Sequence, residues 1–371
     1  MPYIYESATW PKLIWNSSKI FPLLGEVRHQ QGRLIGQMEG LGFQLRAEAS
    51  LLTLTADVIK SSAIEGEILD AQQVRSSIAK RLGLDLGKTI HSSRDVDGVV
   101  EMVLDATQKY DSPLTTERLF AWHASLFPTG RSGMKKMTVG QWRLPESDPM
   151  QVVSGPLGRE RVHFEAPSAD RIPREVSIFL KWFNSSKDMD PVLQSGIAHF
   201  WFVTLHPFED GNGRISRAIA DMALARAERT SERFYSMSTQ IEAEKKEYYL
   251  QLEKSQKGGT DITPWLEWFL GCLSRAVGGA EAGLAGVLHK AKVWKKINNL
   301  PPLNERQRKV INCLLDGFEG NLSNSKYAKL AQCSGDTALR DIKILLELGI
   351  LKQESGGGRS TSYSLMGVPA P

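Results

Sequence analysis

The chain has 371 residues, of which 41% are hydrophobic and 24% charged, with a net charge of +4. That length supports a sizeable core shared among two or three domains, and the charge is too small to argue for nucleic acid by itself. No apolar run approaches the roughly 18 residues of a bilayer-spanning helix, the start "MPYIYESATWPKLIW" lacks the basic, apolar pattern of a signal peptide, and Cys272, Cys313 and Cys333 have neither paired nor metal-like spacing. The expectation is a cytoplasmic protein with buried free thiols and no membrane partner.

Residues 1–24 are aromatic and proline-punctuated, and Tyr3, Tyr5, Trp10 and Trp15 are expected to pack back on the body as an ordered arm. From Leu24 to about Lys80, apolar residues recur at three- and four-residue spacing, which predicts helix. "RLGLDLGK" reads as a loop. Helical patterning resumes near Asp95, and "SPLTTERLFAWHASLF" reads as a helix capped at Thr115 or Thr116. Residues 128–172 are rich in Gly, Pro and basic side chains, and "MQVVSG" and "RVHFEA" form a predicted β-hairpin projecting from a helical body. Helices return in "REVSIFLKWFN", "VLQSGIAHFWFVTL", "GRISRAIADMALARAER", "AEKKEYYLQLEKSQ" and "TPWLEWFLGCLSRAV". A long Ala/Gly helix follows, to about Asn298, and "NNLPPLNE" breaks the chain. The last segment reads as three short helices and a strand–Gly turn–strand, the pattern of a winged helix-turn-helix. Ala338, Ile342, Leu345 and Leu346 share one side of its third helix.

The densest chemistry lies in "HPFEDGNGR", His206–Arg214. Pro207 ends the preceding apolar helix. "ISRAIADMALARAER" restarts one, so Gly211, Asn212 and Gly213 fall at a helix N-terminus, where unpaired amides and the helix dipole favour an anion. Arg214 and Arg217 share a face there; cations in a first turn are unfavourable unless an anionic partner reverses the balance. Asp210 reads either as an N-cap or as an oxygen ligand for Mg²⁺. His206 reads either as a satisfied structural histidine or as a general base. Phe208 reads as a core anchor for the loop.

This stretch resembles the Fic-family signature, HPFx(D/E)GNGRxxR, and matches it at every defined position. "GQWR", Gly140–Arg143, is similar to the family's upstream element, and the predicted 150–165 hairpin stands where the family has its target-binding flap. The resemblance covers about residues 110–275. It implies a mainly α fold: a Fic-type helical core with a small β-hairpin flap, behind an N-terminal helical domain and ahead of the winged helix-turn-helix. The expected bounds are 1–109, 110–280, 281–303 as a connecting helix, and 304–371. It implies transfer of AMP from ATP, with Mg²⁺, to a Ser, Thr or Tyr hydroxyl of a target protein or of the chain itself. His206 would be the base and Asp210 the metal ligand. Gly211, Asn212, Gly213, Arg214, Ile215, Ser216 and Arg217 would bind nucleotide, Tyr248, Tyr249 and Gln256 would border the adenine, and Val162, His163 and Phe164 of the flap would align the target.

"SSAIEGEIL" carries a second resemblance, to the family's inhibitory motif (S/T)xxxE(G/N), through Ser61, Glu65 and Gly66; Ser62 lacks the spacing. Taken alone, Glu65 reads as a solvated acid on the margin of an apolar face. Gly66, read as inside a helix, would cost about 1 kcal/mol relative to Ala. The resemblance implies that Glu65 pairs with Arg217 and withholds it from the nucleotide, with removal of AMP from targets as a related activity. Two other readings stand beside this one. The first is a winged-helix regulator that contacts DNA or protein through residues 304–371, where nine Lys/Arg against seven Asp/Glu leave a net of +2; residues 334–348 would enter a groove, with Arg359 on the wing. The second is transfer of another phosphate-containing group. A homodimer is a further expectation.

Overall fold

Asn16 accepts a hydrogen bond from the Ser18 amide, and that cap starts α1 at Ser17–Glu39, ahead of the predicted Leu24. The computed structural model describes residues 2–87, 90–155, 159, 161–185, 188–318, 320–354 and 361–366. The predicted 24–80 helical stretch is three helices: α1, α2 (Phe43–Ile64) and α3 (Ala71–Leu82), the last opened by Asp70. Then come α4 (Arg94–Gln108) and α5 (Thr116–Leu126), with Thr115 as the cap that its sequence suggests.

Between α5 and the next helix lie two hairpins. The first, β1 (Arg131–Ser132) with β2 (Lys135–Lys136), was not foreseen. The second, β3 (Gln151–Ser154) with β4 (Arg161–Glu165), is the expected hairpin; Val152 lies opposite Phe164 and Val153 opposite Val162, with a register shift between them. α6 (Ile172–Ser185), α7 (Pro191–Leu205) and α8 (Asn212–Glu228) follow, then α9 (Met237–Ala243), α10 (Lys245–Ser255) and α11 (Thr263–Gly283). α7 is buried on every side from Val192 to Leu205, which makes it the axis of the core. α8 packs along α7 and is flanked by α2, α4 and α5.

The arm packs as expected at three of its four aromatics. Tyr3 stacks on Tyr5, and both meet Phe164 edge-on at 5.1 and 6.1 Å. Trp10 abuts Trp201 and donates to Glu175. Trp15 stays half-exposed. The arm's backbone also pairs behind α10, where the Ile4 amide donates to the Gln256 carbonyl at 2.9 Å.

A buried ionic network joins the N-terminal helices to the end of α8. Arg233 donates to Asp221 and Glu228, both at 3.1 Å; Tyr235 and Gln31 donate to Glu228; and Ser236 donates to Asp57 of α2. Burial raises the pKa of both Asp221 and Glu228, and the surrounding acids hold Arg233 charged. Residues 1–109 and 110–280 accordingly belong to one compact unit, Met1–Ala282.

The second unit is Gly283–Pro371. α12 (Ala285–Ile297) belongs to it rather than serving as a connector, since Val293, Trp294 and Ile297 pack on Leu303, Val310 and Ile311. The Pro-containing break at 299–304 therefore lies inside this unit. Next come α13 (Glu305–Leu315), α14 (Asn324–Ala331) and α15 (Gly335–Glu347), and β5 (Leu351–Gln353) pairs antiparallel with β6 (Tyr363–Leu365). The order of three helices and a hairpin is the expected one. Arg359, placed on the wing from sequence, lies outside the described residues. Of the cysteines only Cys272 is buried; Cys313 and Cys333 are half-exposed, which corrects the expectation for those two. Among the described residues no helix is long and apolar enough to cross a membrane.

Candidate active site

The site is built at the junction of α7 and α8. Pro207 stops α7, and His206 leaves it in the left-handed conformation with φ +48°. A non-glycine residue is held there only when its surroundings compel it. Arg143 of "GQWR" does so: its Nε donates to the His206 carbonyl and its amide to the Pro207 carbonyl, at 2.9 and 3.0 Å. The guanidinium is in turn fixed by Asp148 and the Pro167 carbonyl. Phe208 is fully buried and stacks on His123 at 4.1 Å, beside Trp142, as the core anchor its sequence suggests. The His206 imidazole is pushed down to about 4, mainly by burial, with Arg143 adding to it and the Val203 carbonyl, Glu65 and Asp210 opposing. The imidazole is therefore uncharged at neutral pH.

Gly211 caps α8 with φ +81°, and a Cβ there would lie 2.9 Å from the Phe127 ring. The Asn212 side chain is committed within the loop. Its Oδ1 accepts from the Phe208 amide at 3.0 Å and its Nδ2 donates to the Phe208 carbonyl at 2.8 Å, so its side chain is used in closing the loop. Ile215 is wholly in the core, and the buried Ser216 hydroxyl donates to the Gly213 carbonyl, so neither side chain faces the cavity. Asp210 is not the cap of α8. Its Oδ1 accepts from the Gly211 amide and its Oδ2 from Ser132 of β1.

α2 ends at Ile64, Glu65 is its C-cap, and Gly66 follows with φ +86°. Gly66 is therefore a helix terminator, and the interior-helix cost does not arise. The turn delivers Glu65 to Arg217: Glu65 Oε1 accepts from Arg217 Nη2 at 2.8 Å, while Arg217 Nε and Nη2 donate to the Ser61 hydroxyl and carbonyl, both at 2.9 Å. The same carboxylate sits over the start of α8, because a Cβ on Gly213 would lie 2.1 Å from Glu65 Oε1. Glu67, not singled out from sequence, accepts from Arg214 Nη1 at 2.6 Å. Arg214 is buried, with its guanidinium over the Phe127 ring. Both arginines of the motif are thus occupied by acids from one turn.

A cavity of about 520 Å³ opens here, with Glu65, His206, Gly213, Tyr248, Tyr249 and Gln256 on its wall and His163 and Phe164 of the flap across from them. Tyr248 is buried and its hydroxyl bonds His199 Nε2 at 2.9 Å; Gln256 donates to Thr204; Tyr249 is partly exposed. Phe164 is fixed by Tyr3 and Tyr5 and is 2% exposed, so it anchors the flap more than it meets solvent. Val162 is exposed beside Val153. Glu253 is a second missed acid. Its Oε1 accepts from Arg161 and Lys257 and its Oε2 is 2.6 Å from His163 Nδ1. Only the Glu253–Lys257 pair, four apart on α10, has a helical spacing; Arg161 and His163 lie 92 and 90 positions away.

Residues 113–224 match the Fic/DOC family. Residues 3–84, which carry Ser61 and Glu65, match a domain of unknown function, DUF4172. The chain is 26% identical over 226 residues to "Protein adenylyltransferase Fic" of Culex quinquefasciatus, covering 59% of this chain and 40% of that protein. It is 25% identical over 225 residues to the protein of the same name in Drosophila mojavensis. The chain thus spans about 40% of the length of these curated relatives. A Fic family protein from Desulfovibrio desulfuricans G20 shares the fold with a TM-score of 0.58 and 22% identity, over 95% of this chain and 97% of that one. A Fic domain containing signalling protein from Bacteroides thetaiotaomicron VPI-5482 aligns with a TM-score of 0.52 and 18% identity, over 72% of this chain and 98% of that one.

Proposed function

We propose that the chain is a protein adenylyltransferase held off by Glu65. It moves AMP from ATP to a Ser, Thr or Tyr hydroxyl of a target protein. The observation that carries the reading is the placement of a neutral His206 imidazole beside the N-terminus of α8, with Arg214 and Arg217 on that helix. A neutral imidazole accepts the hydroxyl proton as oxygen attacks the α-phosphate. The α8 amides and the two arginines are suited to the phosphate oxygens, and catalysis of this kind is positioning plus charge stabilisation. Asp210 is a hard oxygen donor at the same loop, which fits Mg²⁺; bound there, the ion would neutralise phosphate charge. Tyr248, Tyr249 and Gln256 are the groups offered to the adenine. The flap is a two-stranded hairpin, and an extended target segment that paired with one of its edges would be aligned beside Val162 and His163.

In this reading Glu65 holds Arg217 and stands over Gly213, where the outer phosphates would lie, with Ser61 steadying the same arginine and Gly66 turning the chain. Once AMP is on a target, Glu65 would also orient a water for its removal in this reading. Intact mass after incubation with ATP and Mg²⁺ tests the reaction class. A gain of one AMP, absent in His206→Ala, supports it; an equal gain in His206→Ala, or a gain of a different phosphate-containing group, refutes it.

A second function is proposed for the C-terminal unit. Arg340 and Lys343 are exposed one turn apart on α15, as a groove-entering helix of a winged helix-turn-helix requires. A salt-dependent gel shift with DNA, kept in His206→Ala, would support DNA over a protein partner.

A further inference from the structure

Ser154, His163 and Glu253 form a hydrogen-bonded chain, of which the reaction above uses only His163, to align the target. Ser154 Oγ lies 2.5 Å from His163 Nε2, and His163 Nδ1 lies 2.6 Å from Glu253 Oε2. Glu253 is fixed from its other side, since Oε1 accepts from Lys257 at 2.8 Å and Arg161 at 3.1 Å. Bonds from Lys257, His163 and Arg161 hold its carboxyl at about 2 against the opposing effect of burial, so it is ionised and acceptor-only. An ionised acceptor at Nδ1 requires the N–H there, which leaves the Nε2 lone pair facing the serine hydroxyl. This is the nucleophile, base and orienting-acid order that activates a hydroxyl. All three side chains line the same cavity as His206 and Glu65. An exposed flap serine needs no such partners to be satisfied.

We propose that Ser154 is itself an acceptor of AMP, activated in cis by His163 and Glu253. This rests on the adenylyltransferase reading. Ser154 Oγ forms the bond to the α-phosphorus of ATP, the α–β phosphoanhydride bond breaks, pyrophosphate leaves, and the hydroxyl proton passes to His163 Nε2. Glu253 is the positioning residue that holds the imidazole in the required tautomer. The flap that aligns targets would thereby also carry a modification on the cavity wall.

The test is site mapping of AMP by fragmentation mass spectrometry on the full chain carrying Glu65→Gly, incubated with ATP and Mg²⁺, with pyrophosphate release followed in parallel. The unsubstituted chain, incubated longer, reports the same site should the variant fold poorly. The expected result is AMP on Ser154, lost in Ser154→Ala. His163→Gln, which keeps a hydrogen-bonding side chain but not a base, should lower Ser154's share of the total label at least tenfold, and Glu253→Gln should lower it less. Label confined to other residues, with pyrophosphate released, overturns the assignment of Ser154 alone. An unchanged Ser154 share in His163→Gln overturns the role of the chain. Absence of both label and pyrophosphate overturns the adenylyltransferase reading and this proposal with it.

Discussion

Glu65 Oε1 sits 2.8 Å from Arg217 Nη2 and against the Cα face of Gly213, so one carboxylate occupies both the second arginine of the motif and the N-terminus of α8. Two ordinary anion-attracting features are satisfied internally by a group on another helix. A charge-assisted hydrogen bond of this kind contributes about 1.5–3 kcal/mol, which corresponds to roughly ten- to a hundredfold in an equilibrium.

Glu67 should act as a second, weaker hold through Arg214. It is partly exposed, so its pair is more open to solvent than the Glu65 pair. Glu67→Ala is expected to raise self-labelling by about threefold, less than Glu65→Gly. Because the two acids share a turn, the double variant should depart from the product of the two effects. Rates for the three variants check this; a larger effect from Glu67→Ala than from Glu65→Gly would contradict the order.

Acid should weaken both activity and fold. His206 and His123 are lowered to about 4 and His199 to about 3, in each case first by burial. The unfolded chain takes up these protons near 6.5, before the folded chain does. Stability is therefore highest above that value and falls as pH drops from about 6.5 towards 4, by up to about 3 kcal/mol for each histidine. AMP transfer should be insensitive to His206 protonation from about pH 6 to 8. Thermal melts and initial rates across this range test the two statements separately; a transfer rate that halves near pH 6.5 with the fold intact would count against His206 being neutral.

Asn212→Ala should act through the loop rather than through phosphate contact. Both of its side-chain bonds go to Phe208, and removing them leaves a buried amide and carbonyl unpaired at about 1–3 kcal/mol each. The expected outcome is a lower melting temperature together with lost transfer. Lost transfer at an unchanged melting temperature would restore a direct phosphate role.

Arg233→Ala should destabilise the first unit by about 3–5 kcal/mol, because the buried Asp221 and Glu228 would lose the arginine that both accept from. Denaturant unfolding measures this. A change below 1 kcal/mol would mean that the network is not what joins α1 and α2 to α8.

The helix–loop–helix around His206 was legible because its elements are local: a proline stop, glycines, and an apolar stripe that restarts after them. Glu65 was legible only through its spacing from Ser61. Glu67 and Glu253 were not, since an isolated acid takes its meaning from a partner far along the chain; Arg214 is 147 positions from Glu67. Gly66 was misread because apolar spacing continues to Ile68, yet Ile68 is 96% exposed and the helix has already ended. Asn212, Ile215 and Ser216 belong to one contiguous motif, but the motif does not say where each side chain points. Successive residues of a helix face different directions, and these three side chains turn into the loop and the core. The place of α12 was hidden for a related reason, since a proline break marks a turn but does not say which side of it packs together.

The most direct test of the central claim is the rate of AMP incorporation, with ATP and Mg²⁺, into Glu65→Gly compared with the unsubstituted chain. Freeing Arg217 and the start of α8 predicts a rise of about tenfold or more that disappears when His206→Ala is added. An unchanged rate in a folded Glu65→Gly protein would show that the Glu65–Arg217 pair does not restrain the site.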